Sequence, residues 1–156
     1  MMKEVTIYTD GACSGNPGNG GYGVILSYMG KKKELSKGFE CTTNNRMELM
    51  AAITGLEALK EPCKVKLWSD SKYLIDSINK NWIASWQKNG WKNSQKKPVK
   101  NRELFERLIE LQNIHDVEFC RVKGHDGHPE NERCDTLAVE ASKGSNLTVD
   151  AGYTGE

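Results

Sequence analysis

Residues 4–41, EVTIYTDGACSGNPGNGGYGVILSYMGKKKELSKGFEC, decide the fold class. Glu4 to Asp10 is rich in β-branched and aromatic residues and reads as a strand. The Gly/Asn/Pro-rich turn GACSGNPGNGG follows, and then two more strand-like runs at about 22–29 and 32–41. The Met29-Gly30-Lys31 junction is short enough to close those two runs into a hairpin.

Beyond this hairpin region the period changes. Leu49, Ala52, Ile53, Leu56 and Leu59 recur at helical spacing over 43–60, with Thr42 or Thr43 available as a cap. Met47, Met50 and Ala51 make a second side apolar, so this helix is expected to be buried around much of its circumference. Pro62 marks its end. KVKLWS (64–69) reads as a fourth strand, followed by helices at about 71–80 and 82–88 and a basic loop over 89–100. Asn101 is placed to cap a helix at 102–113, before a fifth strand at 116–122 and a last helix at about 131–143. Strands followed by alternating helix and strand predict an α/β fold with a five-stranded mixed sheet flanked by helices. The domain is expected to span 1–143, with a mobile or loosely attached tail over 144–156.

The bulk composition is that of an ordinary globular chain: 156 residues, 37% hydrophobic, 28% charged, formal charge +1. Five scattered cysteines without a C-x-x-C pair form neither a disulfide framework nor a zinc pattern, and suit a reducing, cytoplasmic setting. Neither a signal-peptide pattern nor a membrane-length apolar run is found, so no membrane partner is expected.

The charge distribution says more than its sum. No acid lies between Asp76 and Glu103, while that stretch holds six lysines, among them Lys96, Lys97 and Lys100, together with Arg102. It also holds Trp82, Trp86 and Trp91. Positive charge gathered in one segment is the footprint of a polyanion site. The competing reading is structural, because Trp82 and Trp86 stand one helical turn apart and such pairs usually pack on a neighbouring helix.

Asp10 ends the first expected strand and Asp70 follows the fourth, where sites gather beyond the carboxyl ends of parallel strands. Glu48 and Asp135 fall in the first turns of two helices that can point to the same sheet end. Singly, each acid has an ordinary role as a turn former or a helix-dipole partner. Together they would form a cluster tolerable only with protons or cations, and an all-oxygen set favours Mg²⁺ or Mn²⁺ over zinc. Gly18 to Gly23 matches G-x-G-x-x-G, but a strand follows where a dinucleotide site needs a helix. Those glycines are instead expected to allow a tight turn and close approach to a phosphate or sugar. His125 and His128 lie in a Gly/Pro-punctuated loop without a third nitrogen or sulfur ligand at metal spacing. A proton-transfer role for His125 and an ordinary loop position remain equal alternatives on the residues alone.

On TDGACSGNPGNGGYG (9–23), TTNNRMELMAAI (42–53), SDS (69–71), KKPVKN (96–101) and VKGHDGHPENERCDTLA (122–138), the chain resembles the bacterial type 1 ribonuclease H family over nearly its whole length. The resemblance implies the ribonuclease H-like fold and endonucleolysis of the RNA strand of RNA–DNA hybrids. It implies that Asp10, Glu48, Asp70 and Asp135 bind two Mg²⁺ ions, with Mn²⁺ as a possible substitute, and that His125 assists proton transfer or product release. Cys13, Asn16, Asn44 and Asn45 would line the hybrid's minor groove, and Thr43 would serve a phosphate pocket for the DNA strand. The basic segment, with Trp82, Trp86, Trp91, Lys96, Lys97 and Lys100, would grip that strand. Lys72, Asp126, Gln87 and Asn89 depart from common family residues, and none touches the four acids. Two-ion hydrolysis leaving 5′-phosphate and 3′-hydroxyl ends, by a monomer, is the expected chemistry. The other readings are a strand-transfer enzyme or exonuclease of the same fold, and a hybrid-binding module without catalysis.

Overall fold

The computed structural model describes residues 2–123 and 128–154. β1 (Lys3–Cys13), β2 (Gly18–Tyr28) and β3 (Lys31–Thr42) form an antiparallel meander. Met29 and Gly30 both have positive φ, 49° and 81°, which suits the right-handed twist of a two-residue hairpin loop. β4 (Cys63–Ser69) runs parallel to β1, and β5 (Asp116–Arg121) runs parallel to β4. Among the described residues a sixth, two-residue strand, β6 (Thr148–Val149), pairs parallel with Phe39 and Glu40 of β3. The sheet order is β5-β4-β1-β2-β3-β6. Six strands replace the expected five because the chain after Gly144 turns back onto the sheet edge.

α1 (Asn44–Glu57) covers one face of the sheet and α5 (Pro129–Ser142) the other. Gly55 of α1 abuts Ile7 and Val24, whereas Cys134 and Leu137 of α5 pack with Ile25. As its pattern predicts, α1 is buried on most sides, with Met47, Leu49, Ala51, Ala52 and Leu56 all at 0% exposure. α4 (Arg102–Ile114) packs beside α1 through Phe105, Leu108 and Leu111, and α2 (Lys72–Asn79) and α3 (Trp82–Lys88) complete the larger core.

The structure corrects two expectations. Within the G-x-G-x-x-G stretch Gly18 closes on Gly15 in the expected tight turn, but Gly21 and Gly23 face the protein's own helix α5 and not a phosphate or sugar. A Cβ on Gly21 would lie 2.5 Å from Ala138 O, and one on Gly23 would collide with Cys134 O. Their smallness lets α5 lie against β2. Asn101 occupies the cap position of α4 but makes no capping hydrogen bond. Its Oδ1 accepts from Arg46 Nη1 at 3.0 Å and its Nδ2 donates to the Tyr73 hydroxyl at 3.2 Å.

The tail also differs from expectation. Asp150 is buried, and its carboxylate accepts from Arg46 Nε and from the Thr42 hydroxyl, each at 2.7 Å. A carboxylate paired with a buried guanidinium gives the segment a strong local tie, which composition alone does not reveal.

Candidate active site

The sheet brings the acids together by register. Tyr8 pairs with Trp68 at the end of the β1–β4 ladder. Two residues further along stand Asp10, still within β1, and Asp70, just past the end of β4. β1 itself continues to Cys13 along β2, so Asp10 is mid-strand on one side and free of a ladder partner on the other. Gly11 then lets α1 approach. A Cβ there would sit 2.6 Å from Glu48 N and 2.7 Å from Met47 C, both rigid backbone atoms. With hydrogen in that place, the Gly11 N–H donates to Glu48 Oε1.

As a result, carboxylate oxygens of Asp10, Glu48 and Asp70 all lie within 4.8 Å of one another. Asp135, in the second turn of α5, shares a hydrogen bond with Asp10. Asp10 and Glu48 are 6% and 3% exposed, and Asp70 and Asp135 are half-buried. At such spacing two like charges repel by ~3–4 kcal/mol at an effective dielectric of about 20. Burial first, then the charges of Glu48 and Asp70, push the Asp10 carboxyl up to about 10. Burial and the Asp70 charge raise Glu48 as well, while hydrogen bonds from Asp10, Gly11 and Ser71 pull it back. The buried acids therefore share at least one proton when no cation relieves the cluster. A buried, crowded, all-oxygen donor set fits a hard divalent ion.

Two further residues shape this end of the sheet and escaped sequence reasoning. Asn131, buried in the first turn of α5, directs its Nδ2 toward Thr9 O at 3.5 Å and Trp68 O at 3.4 Å. It thereby braces β1 and β4 one or two residues before Asp10 and Asp70. Ser71 accepts from Leu74 N as the cap of α2 and also hydrogen-bonds Glu48. The SDS and HPEN stretches were the visible signals, but the bracing depends on contacts across more than 60 positions.

Beside the acids lies a polar groove. Asn16 Oδ1 accepts from Asn44 N at 3.0 Å, so the β1–β2 turn docks on the start of α1. The Thr43 hydroxyl accepts from Arg46 N as the α1 cap. Cys13 Sγ lies 3.4 Å from Thr42 O, and Asn45 is exposed on the same helix turn. In the basic segment, Lys96, Lys97 and Lys100 are exposed. Trp82 is 36% exposed, whereas Trp86 packs edge-on against Phe105 with ring centroids 5.1 Å apart. Trp91 is half-buried beside Trp86, and the Arg102 guanidinium lies 5.2 Å from its ring. His128 precedes α5 with its ring 5.4 Å from that of Trp68. His125 lies outside the described residues.

The RNase H family model matches residues 2–143. The chain belongs to the ribonuclease H family. It is 59% identical over 149 residues to the ribonuclease H of Desulforamulus reducens, covering 96% of this chain and 94% of that one. The Rippkaea orientalis ribonuclease H is 58% identical over 151 residues, covering 97% and 93%. Among solved structures, LC9-RNase H1 superposes with a TM-score of 0.83 at 30% identity, covering 94% of this chain and 75% of that one. LC11-RNase H1, solved in complex with RNA/DNA hybrid, gives a TM-score of 0.68 at 26% identity, covering 88% and 95%. No helix among the described residues is long and apolar enough to cross a membrane.

Proposed function

We propose that this member of the ribonuclease H family hydrolyses the RNA strand of RNA–DNA hybrids. The observation that carries the reading is the convergence of Asp10, Glu48 and Asp70, with Asp135 against Asp10, at one sheet end beside an asparagine-rich groove. The hybrid bound to LC11-RNase H1 supports the choice of duplex.

Asp10, Glu48, Asp70 and Asp135 would hold two Mg²⁺ ions, or Mn²⁺ in their place. When bound, such ions supply water activation and charge stabilisation at the leaving 3′ oxygen, which gives 5′-phosphate and 3′-hydroxyl ends. The rest falls to the protein. Gly11 N–H and Ser71 fix the Glu48 carboxylate, and Asn131 fixes the strand ends. Cys13, Asn16, Asn44 and Asn45 meet the minor groove, where 2′-hydroxyls distinguish RNA. Thr43 serves a phosphate of the DNA strand. Lys96, Lys97 and Lys100, with Trp82 as the outermost ring, engage the same strand by charge and contact. His125 moves a proton or eases product release. Five free cysteines fit a reducing, cytoplasmic setting, and the protein acts as a monomer.

The direct test incubates end-labelled RNA–DNA hybrid, duplex RNA and duplex DNA with the protein and Mg²⁺. Cleavage of the hybrid's RNA strand alone, stopped by EDTA and restored by Mg²⁺, is expected. Equal cutting of duplex DNA, or binding without cutting, would select one of the other readings.

A further inference from the structure

A cavity of about 730 Å³ opens on the asparagine-rich groove. Asn16, Thr43 and Asn44 form one side, and Lys100 and Arg102 form another. The third wall is the chain's own tail, Gly152, Tyr153 and Thr154. We propose that this tail is part of the nucleic-acid surface, with Tyr153 contacting the sugar–phosphate backbone of the DNA strand. The proposal rests on the hybrid reading and adds a binding residue to it.

The first support is how the tail is held. Asp150 and Arg46 side chains are 1% and 2% exposed and paired at 2.7 Å, with a second hydrogen bond from Arg46 Nη2 at 3.0 Å. Tyr153 N donates to Asp150 O at 3.1 Å, so the turn carrying the ring is set directly by the anchored residue. Upstream, the pairing of Thr148 with Phe39 and Val149 with Glu40 fixes the approach. Gly152 passes so close to Arg46 that a Cβ would lie 2.7 Å from Nη2 and collide with the Glu103 carboxylate.

The second support is the exposure of the chain beyond the anchor. A tail whose only task was to cover the core would bury its side chains there. Asp150 is buried, but Ala151, Gly152 and Thr154 are exposed, and Tyr153 is half-buried at the cavity wall.

The third support is the cavity's chemistry. Arg46 gives its donors to Asp150, Asn101 and Glu103, so its charge is neutralised within the protein. Lys100 and Arg102 also stand on the cavity wall, Arg102 paired with Glu106 at 3.5 Å and Glu103 turned to Arg46, and the groove side offers neutral amides and hydroxyls. A hydroxyl- and amide-rich wall with Lys100 and one phenol matches a sugar–phosphate backbone, to which tyrosine is among the recurrent donors.

Two measurements on the full chain decide the matter. Tyr153→Ala should raise KM for hybrid about fivefold, corresponding to ~1 kcal/mol, with kcat within about twofold. Separately, Tyr153→p-benzoylphenylalanine, irradiated with hybrid in Ca²⁺, should form an adduct with the DNA strand. An unchanged KM overturns the proposal. So does the lack of a DNA adduct, even where Tyr153→Ala raises KM through lost stability. If the parent protein fails to cut hybrid at all, the functional reading falls. If it cuts normally and either test fails, only the tail's role falls.

Discussion

The carboxylate of Glu48 accepts a hydrogen bond from the backbone N–H of Gly11, the residue next to Asp10. This contact joins β1 to α1 and sets two of the acids by main-chain geometry. Gly11→Ala would push a methyl group against Glu48 N and Met47 C, neither of which can rotate away. A loss of about 1–3 kcal/mol of stability and most of the hybrid cleavage is expected. Urea melts and initial rates check it, and a fully active, equally stable variant would refute the packing account.

Asp10→Asn should abolish cleavage and leave hybrid affinity nearly intact. It also has a stability signature. The ordinary value of the Asp10 carboxyl is 3.8, and in the folded chain it is pushed up to about 10. The folded form therefore binds more protons than the unfolded form across that window, and the parent loses stability as pH rises through it. In EDTA, the advantage of the variant over the parent should be small at pH 4 and grow as pH rises to 7. An advantage of the same size at both pH values would contradict the burial-and-repulsion origin of the shift.

Asp150 provides the opposite sign. Burial alone would raise its carboxyl, but hydrogen bonds from Arg46 and Thr42 and the Arg46 charge hold it below the usual range. Its contribution is present above the ordinary carboxylate value and fades as pH falls through the lowered one. Asp150→Ala should cost about 2 kcal/mol at pH 7, short of a fully orphaned buried ion because Glu103 and Asn101 still bind Arg46. The deficit should shrink in strong acid, as chemical denaturation against pH would show.

Replacing Lys96, Lys97 and Lys100 with alanine should raise KM for hybrid and leave kcat nearly unchanged. The salt dependence should flatten by up to about 0.9 per lysine that contacts a phosphate, read as log affinity against log salt. An identical slope in parent and variant would remove these lysines from the contact surface.

The tryptophans separate by packing. Trp86→Ala should lower stability by roughly 2–3 kcal/mol, because it leaves a void beside Phe105. Trp82→Ala, at the surface, should change it by less than about 0.5 kcal/mol. Equal losses in urea melts would contradict the arrangement of the two rings.

These contrasts show what the sequence carries openly. The strands and helices were legible because their hydrophobic periods are local, and the acids were legible because Asp10 and Asp70 close strand-like runs. The role of Asn101 was not, since its partners Arg46 and Tyr73 lie 55 and 28 positions away. The tail misled for the same reason. Its glycines read as slack, while the feature that holds it is one aspartate meeting an arginine 104 residues earlier. Gly18 to Gly23 resembled a ligand loop because glycine signals close approach without naming what approaches. Trp86 and Trp82 share a helix turn, and which ring faces inward depends on where Phe105 arrives.

The pairing of Val5 with Val65 and Ile7 with Leu67 is a feature of the apolar interior, yet it sets the spacing of Asp10 and Asp70. Slipping one strand by a single residue would turn one acid to the opposite side of the sheet. The greasy interior thus works as a measuring rule for the acid cluster. A methylene added or removed at Ile7 or Leu67 would act on the acids' spacing from a distance, which makes those buried positions as worthwhile a target for directed evolution as the charged residues themselves.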